Sequence, residues 1–217
     1  MTEGALDPSD PLALSELLGG LDIYLLDQLM KGRIRRGMRV FDAGSGGGRN
    51  VEYLMRAGID VAATDRDPGA LAALVALAER VAPALPHTNF RVDLLEDLDE
   101  PRASADVVLC IAVLHFARDT DHFRAMLDGA WGVLKPGGLF FARLASTVGV
   151  EPLLRPFGPT DEVPGRFGLP DGTERFLVDE AFLLAETRRI GGELLDPLKT
   201  SVVHGQRAMA TWVMRKR

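Results

Sequence analysis

At 217 residues, with 47% hydrophobic and 26% charged side chains, the chain is long enough for one well-buried domain and too short for two of ordinary size. A formal charge of −6 argues against a general nucleic-acid binder, and the single cysteine, Cys110, can form neither an internal disulfide nor a cysteine-based zinc site. No uninterrupted apolar stretch approaches the ~20 residues of a membrane span. Residues 1–10 are acidic with no apolar run after a basic start, so the expected location is cytoplasmic, with no membrane partner. Almost all the basic residues are arginine, which points to a GC-rich bacterial genome.

Residues 1–10, with Pro8 and then Pro11, read as a loose arm. Apolar residues over 12–30 recur at helical spacing and are interrupted at Gly19-Gly20, which predicts two helical pieces, the second over 21–31. Residues 1–36 are thus expected to form an arm and helical lid, and 37–217 a single domain. A first strand closes on Val40-Phe41, and further strands are predicted over 59–64, 89–92, 106–111 and 139–144. Helices are predicted over 50–57, 68–81 and 121–134, with only a short turn around 94–98. Strands alternating with helices at this spacing mean an α/β fold with a mostly parallel sheet and helices on both faces. Residues 147–175 break the rhythm with five prolines and five glycines, and read as a functional loop or a disordered one. A helix over 178–190 follows, and then a closing hairpin of 199–204 and 209–214.

The most specific signal is the run Val40-Phe41-Asp42-Ala43-Gly44-Ser45-Gly46-Gly47-Gly48-Arg49-Asn50. Glycines between a buried strand and a helix let the backbone turn sharply, and they let a ligand lie against it beside the helix's unpaired N–H groups. A phosphate loop needs Gly-Lys-Ser/Thr, but Gly48 is followed by Arg49-Asn50. A dinucleotide fingerprint counted from Gly44 needs a small last residue, where Arg49 stands. What remains is Asp-x-Gly-x-Gly-x-Gly, met by Asp42, Gly44, Gly46 and Gly48. It resembles motif I of the class I methyltransferases that use S-adenosylmethionine.

Further places resemble the same family in the same order: Asp65 ending the second strand, Asp93 just beyond the third, and the turn Leu134-Lys135-Pro136-Gly137-Gly138 before the fifth. The resemblance covers about half the chain, from 37 to 146. It implies a Rossmann-like sheet of seven strands, the last antiparallel, and S-adenosylmethionine as cofactor with S-adenosylhomocysteine as product. It also implies that Asp42 and the backbone of Gly44, Gly46 and Gly48 hold the methionine part. Asp65 would accept from both ribose hydroxyls, with Arg66 beside it. Asp93 would accept from the adenine amino group, the Leu94 N–H would face the ring, and Ile111 would line the same pocket. Tyr24, on the N-terminal helix, either lines that pocket or belongs to a packed lid.

Each residue also has a plainer reading. The glycines can make a tight turn without a ligand, Asp65 can cap the next helix (Asp67 is better placed for that), and Asp93 sits in a loop that is acidic throughout. His115, after the fourth strand, is a candidate general base or a loop-ordering residue. Arg143, at the end of the fifth strand, is a candidate clamp for an anionic substrate, as are Arg155, Arg166 and Arg175 in the long loop. His87, His122 and His204 are expected at the surface. No metal-ligand spacing or nucleophile–base pair is apparent. Methyl transfer is a displacement at an already electrophilic carbon, so orientation and exclusion of water suffice unless the acceptor must lose a proton.

After the fourth strand, Ala112-Val113-Leu114-His115-Phe116 is similar to broad small-molecule methylase families, and diffusely to the tellurite-resistance and thiopurine types. The expected partner is therefore a small-molecule methyl acceptor and no nucleic acid. A non-catalytic S-adenosylmethionine-binding protein and a nicotinamide oxidoreductase are the competing readings. Calorimetry with S-adenosylhomocysteine against NAD separates the last of these from the others.

Overall fold

The computed structural model describes residues 11–157 and 163–217. Two short helices come first, α1 (Pro11–Leu18) and α2 (Ile23–Met30), parted at the expected glycine pair. There follow β1 (Arg39–Ala43), α3 (Glu52–Arg56), β2 (Asp60–Asp65), α4 (Pro68–Val81), β3 (Phe90–Val92), β4 (Ala105–Ile111), α5 (Thr120–Val133) and β5 (Leu134–Ser146). Helix α4 keeps its predicted limits because its start is chemically marked. Asp67 accepts from the Gly69 N–H at 2.8 Å, and Pro68 occupies a first turn that needs no N–H there.

These five strands pair parallel in the order β5-β4-β1-β2-β3. Helices cover both faces, so both faces of the strands are apolar. In β4, Val107, Leu109 and Ile111 join the layer containing Leu25, Leu54 and Leu74 of α2–α4. Val108 and Cys110 join the opposite layer, with Phe123, Leu127 and Trp131 of α5. Burial, with the Asp42 charge, pushes the Cys110 thiol pKa up, so it is an inert core group. Because the chain leaves β1 toward β2 on one side and β4 lies on the other, the sheet order reverses there. A crevice opens beyond the carboxyl ends of these strands.

Among the differences from the expectation, three lie in the third strand, the fifth strand and the long loop. The third strand starts at Phe90, because Asn89 belongs to a 3₁₀ turn, His87–Asn89, and donates its side-chain amide to the Val61 carbonyl at 2.9 Å. The fifth strand is longer than 139–144: the Lys135–Gly138 turn is a bulge inside it, and pairing jumps from Ala105↔Leu134 to Val107↔Leu139. The third difference is the long loop. It holds β6 (Arg155–Pro156), β7 (Gly165–Gly168) and β8 (Glu174–Leu177), a separate antiparallel sheet. Phe167, Leu169 and Leu177 bury themselves against Ala145 of β5, so the segment has its own small core. Its strands are too short for alternation to show among the prolines and glycines.

Helix α6 (Glu180–Arg189) starts at Asp179, which accepts from the Phe182 N–H at 2.8 Å. The short β9 (Gly192–Leu194) leads to the hairpin β10 (Lys199–Val203) and β11 (Arg207–Lys216). Strand β11 lies antiparallel between β5 and β10, as the family resemblance implies. β9 pairs with the far end of β11, which gives the main sheet an eighth strand beside the seven expected.

Candidate active site

The loop after β1 is built around crowding as much as around freedom. Gly44 has φ +84°, and a Cβ there would lie 2.5 Å from a Val113 methyl carbon. A side chain is excluded twice, by conformation and by space. Gly48 (φ +89°) serves packing: its missing Cβ leaves room for Leu74 and Leu77 of α4. Gly46 has open space at that position and donates its N–H to Asp65 Oδ2 at 2.7 Å. The Asp67 N–H donates to Asp65 Oδ1 at 2.9 Å. Asp65 therefore ties the glycine loop to the end of β2, and each oxygen keeps a second lone pair for a ligand.

A cavity of ≈ 570 Å³ opens at this edge. It is within the range of small-ligand sites. Gly44, Gly46, Asp65, Arg66, Asp93, Leu94 and Ile111, all singled out in the sequence, line it. Leu94 and Phe116 present exposed apolar surface to it. Asp42, Gly48, Tyr24, His115 and Arg143 are not among its lining residues.

Asp42 lies beneath the loop, 1% exposed, with Oδ2 buried and unpartnered. Burial, helped by the Asp65 charge and opposed by Arg49, pushes its pKa up to about 7. His115 is also buried. Its Nδ1 accepts from the Ala145 N–H at 3.2 Å, which puts the ring proton on Nε2, and burial with the Arg175 charge pushes its pKa down to about 4. An imidazole in that state is a weak base and a good tie between the post-β4 turn and β5.

Arg143 is spoken for. It donates to Asp22 Oδ2 at 2.6 Å and to Ser201 Oγ at 2.9 Å, and its guanidinium lies 4.5 Å from the Tyr24 ring centre. Asp22 also caps α2, and its own N–H donates to Asn50 Oδ1 at 3.1 Å. The predicted anion clamp and the predicted pocket tyrosine are thus one packed unit that fastens α2 over the sheet edge. Asn50, expected to begin a helix, is buried in this junction instead, and α3 starts at Glu52.

Two features escaped the sequence reading. His122, expected at the surface, lines the cavity with its side chain only 11% exposed. Its Nδ1 accepts from the Arg118 N–H at 3.0 Å, and Nε2 lies 2.8 Å from Glu96 Oε1. The pair meets because Gly129 of α5 admits the Leu95 carbonyl, which would sit 1.8 Å from a Cβ. Nothing in the local sequence signals that contact across 26 residues. The second is Ala112, at the cavity with φ +61°, a conformation rare outside glycine and held here by its N–H donating to the Arg143 carbonyl at 2.7 Å.

The three loop arginines separate. Arg155 is exposed and lines a different hollow, of ≈ 620 Å³, on the small sheet. Arg166 pairs with Glu174 at 2.7 Å. Arg175 alone reaches the turn after β4, with its guanidinium 4.8 Å from the Phe116 ring centre.

A family description reading "Methyltransferase domain" matches residues 41–142. The ubiquinone biosynthesis O-methyltransferase of Xylella fastidiosa (strain M23) is 30% identical over 209 residues, which span 90% of this chain and 76% of that protein. Among solved structures, a SAM-dependent methyltransferase from Methanosarcina mazei has a TM-score of 0.71 and 17% identity, over 87% of this chain and 96% of that one. The 1,6-didemethyltoxoflavin-N1-methyltransferase of Burkholderia thailandensis, with 1,6-didemethyltoxoflavin and S-adenosylhomocysteine bound, has a TM-score of 0.64 and 20% identity, over 89% and 76%. At these identities the solved structures establish the likeness of fold.

Proposed function

Because the chain belongs to the class I S-adenosylmethionine-dependent methyltransferases, acting on a small-molecule acceptor, we propose that the cavity beyond β1, β2 and β4 is its methyl-donor site and that an oxygen atom accepts the methyl group. The carrying observation is Asp65, fixed by the Gly46 and Asp67 N–H groups at the cavity wall with a lone pair left on each oxygen. The name of the Xylella relative supports oxygen as the acceptor atom.

The residues fit the donor chemically. Asp42 keeps a buried, unpartnered Oδ2 under the glycine loop, and Asp65 and Asp93 add carboxylates at the wall, which suits a ligand carrying an ammonium and a sulfonium. When bound, S-adenosylmethionine supplies an electrophilic methyl group on sulfur. Asp65 would accept from the ribose hydroxyls, Asp93 from the adenine amino group, and the Leu94 and Ile111 side chains would flank the base. The backbone from Gly44 to Gly47 would hold the methionine part, with Gly48 setting the loop's packing on α4. Helices α1 and α2 act as a lid over one side, fastened through Asp22, Arg143 and Tyr24. Arg143 and His115 serve as positioning residues: one is neutralised by Asp22, and the other is a weak base that orders the turn bearing Phe116. The described parts of the segment after β5, 147–157 and 163–175, wall the acceptor side, and the protein works in the cytoplasm.

Incubation with S-adenosylmethionine carrying a labelled methyl group, against a panel of hydroxylated and amino-bearing small aromatics, tests this. Label should appear on a hydroxylated acceptor, and transfer only to nitrogen would overturn the oxygen assignment.

A further inference from the structure

Phe116 stands exposed at the cavity with a guanidinium from each of two distant elements against it. Arg66, just after β2, lies 5.4 Å from the ring centre and Arg175, on β8, lies 4.8 Å away. Stacking on an aromatic ring holds a guanidinium in place while leaving in-plane N–H donors available; Arg175 spends one of its nitrogens on the Glu174 carbonyl at 2.7 Å and keeps the others. Neither arginine has a carboxylate within ion-pair distance among the described residues. The nearby acids are occupied: Glu174 pairs with Arg166, and Asp171, which feels the Arg175 charge, accepts from the Thr173 N–H and hydroxyl at 2.9 and 2.6 Å. Two guanidiniums with no carboxylate within ion-pair distance among the described residues, in a protein of net charge −6, thus meet at Phe116, which lines the cavity together with Arg66.

We propose that the Arg66–Phe116–Arg175 stack is an oxyanion subsite for the methyl acceptor, which therefore carries a carboxylate or a phosphate ester. This rests on reading the cavity as the methyl-donor site. The planar fork of each guanidinium matches two oxygens of such a group, and Phe116 offers an apolar surface to the body that bears it. The carboxylates of Asp65 and Asp93 suit the cationic donor, and the guanidiniums at Phe116 suit an anionic acceptor. Arg175 comes from the small sheet, so that sheet selects the acceptor through this residue, with Arg155 and Arg166 outside the subsite.

The test is calorimetry on the full chain saturated with S-adenosylhomocysteine, titrated with 3-hydroxybenzoate, 3-hydroxyphenyl phosphate and the neutral 3-hydroxybenzamide. At least one anion should bind saturably and about tenfold more tightly than the amide, as expected for a charge-assisted contact, and which anion binds identifies the group. Arg175→Met should abolish that preference, Arg175→Lys should weaken it, and Arg155→Met should leave it intact. S-adenosylhomocysteine affinity should stay within about twofold in all three, since less than half a kcal/mol is then at stake. Equal binding of amide and anions, no saturation by either anion, or a preference that survives Arg175→Met overturns the subsite. Loss of S-adenosylhomocysteine affinity in Arg175→Met, with 5′-methylthioadenosine unaffected, would show that the arginine serves the donor's own carboxylate. Failure of the parent to bind S-adenosylhomocysteine at all would overturn the donor site itself, which separates the two claims.

Discussion

The glycine loop and the segments packed around it are held together over different spans of chain. At the glycine loop, the bond that shapes the turn joins Gly46 to Asp65, 19 residues apart and one strand–helix unit away. At the N-terminal helices and the small sheet, Asp22 meets Arg143 across 121 residues, and Arg175 reaches Phe116 from a separate sheet. A site made within one βαβ unit needs fixed residues at fixed offsets. A site made by packing distant segments needs only charges and shapes that meet after folding. The glycine loop is therefore written in the sequence as a motif, and the long-range contacts are not.

The largest expected effect breaks the long-range side. Asp22→Ala leaves the Arg143 guanidinium, 13% exposed, without its carboxylate and removes the α2 cap. Stranding a buried charge costs about 3–5 kcal/mol, and for a chain of this length the melting temperature should fall by roughly 10 °C. The double variant Asp22→Ala/Arg143→Met should recover part of the loss. A fall of only a degree or two in Asp22→Ala would mean that the pair does not fasten the lid.

Asp42→Asn probes the donor side and should stabilise the protein while weakening it as a binder. The Asp42 pKa is raised from 3.8 to about 7 on folding, so the folded state binds the extra proton between those values. Stability from this group is complete below pH ~4 and is lost as pH rises toward 7. Asp42→Asn removes that loss, so relative to the parent it should gain up to a few kcal/mol as pH goes from 4 to 7. S-adenosylmethionine affinity should drop by about tenfold with the acceptor charge gone. Denaturant unfolding across pH, with binding measured alongside, checks both. A variant that gained no stability on going from pH 4 to 7 would place Asp42 in a less buried setting.

The smallest effect is expected at His115. Its pKa falls from 6.5 to about 4 on folding, so the unfolded state binds the extra proton in that window. Its contribution is present above pH 6.5 and lost as pH falls toward 4. His115→Asn should flatten that slope, cost about 1 kcal/mol at neutral pH through the bond to the Ala145 N–H, and leave methyl transfer within about tenfold of the parent, below the usual contribution of a general base. A hundredfold loss of turnover with unchanged stability would make His115 a base after all.

How much could be read in advance follows the same division. The strand positions, α4 with its Asp67 cap, and the placing of Gly44, Gly46, Asp65, Asp93 and Leu94 at one cavity came from local pattern and a family motif. Arg143 and His122 were misjudged for opposite reasons. Arg143 stands at the binding edge, as its position after a parallel strand suggests, but Asp22 had no visible relation to it until α2 folded across. His122 begins an amphipathic helix, where a polar residue usually faces water, and it turns inward because Glu96 is brought against α5 at Gly129. The small sheet was invisible because β6, β7 and β8 are two to four residues long, too short for a periodic signal.

The central claim is that this cavity holds the methyl donor through Asp65. Titration of S-adenosylhomocysteine into the parent and into Asp65→Ala tests it most directly. The parent should bind one equivalent, and the variant should bind at least about tenfold more weakly, because two charge-assisted hydrogen bonds of roughly 1.5–3 kcal/mol each are removed. A variant that binds as tightly as the parent would contradict the placing of the ribose and the donor site built on it.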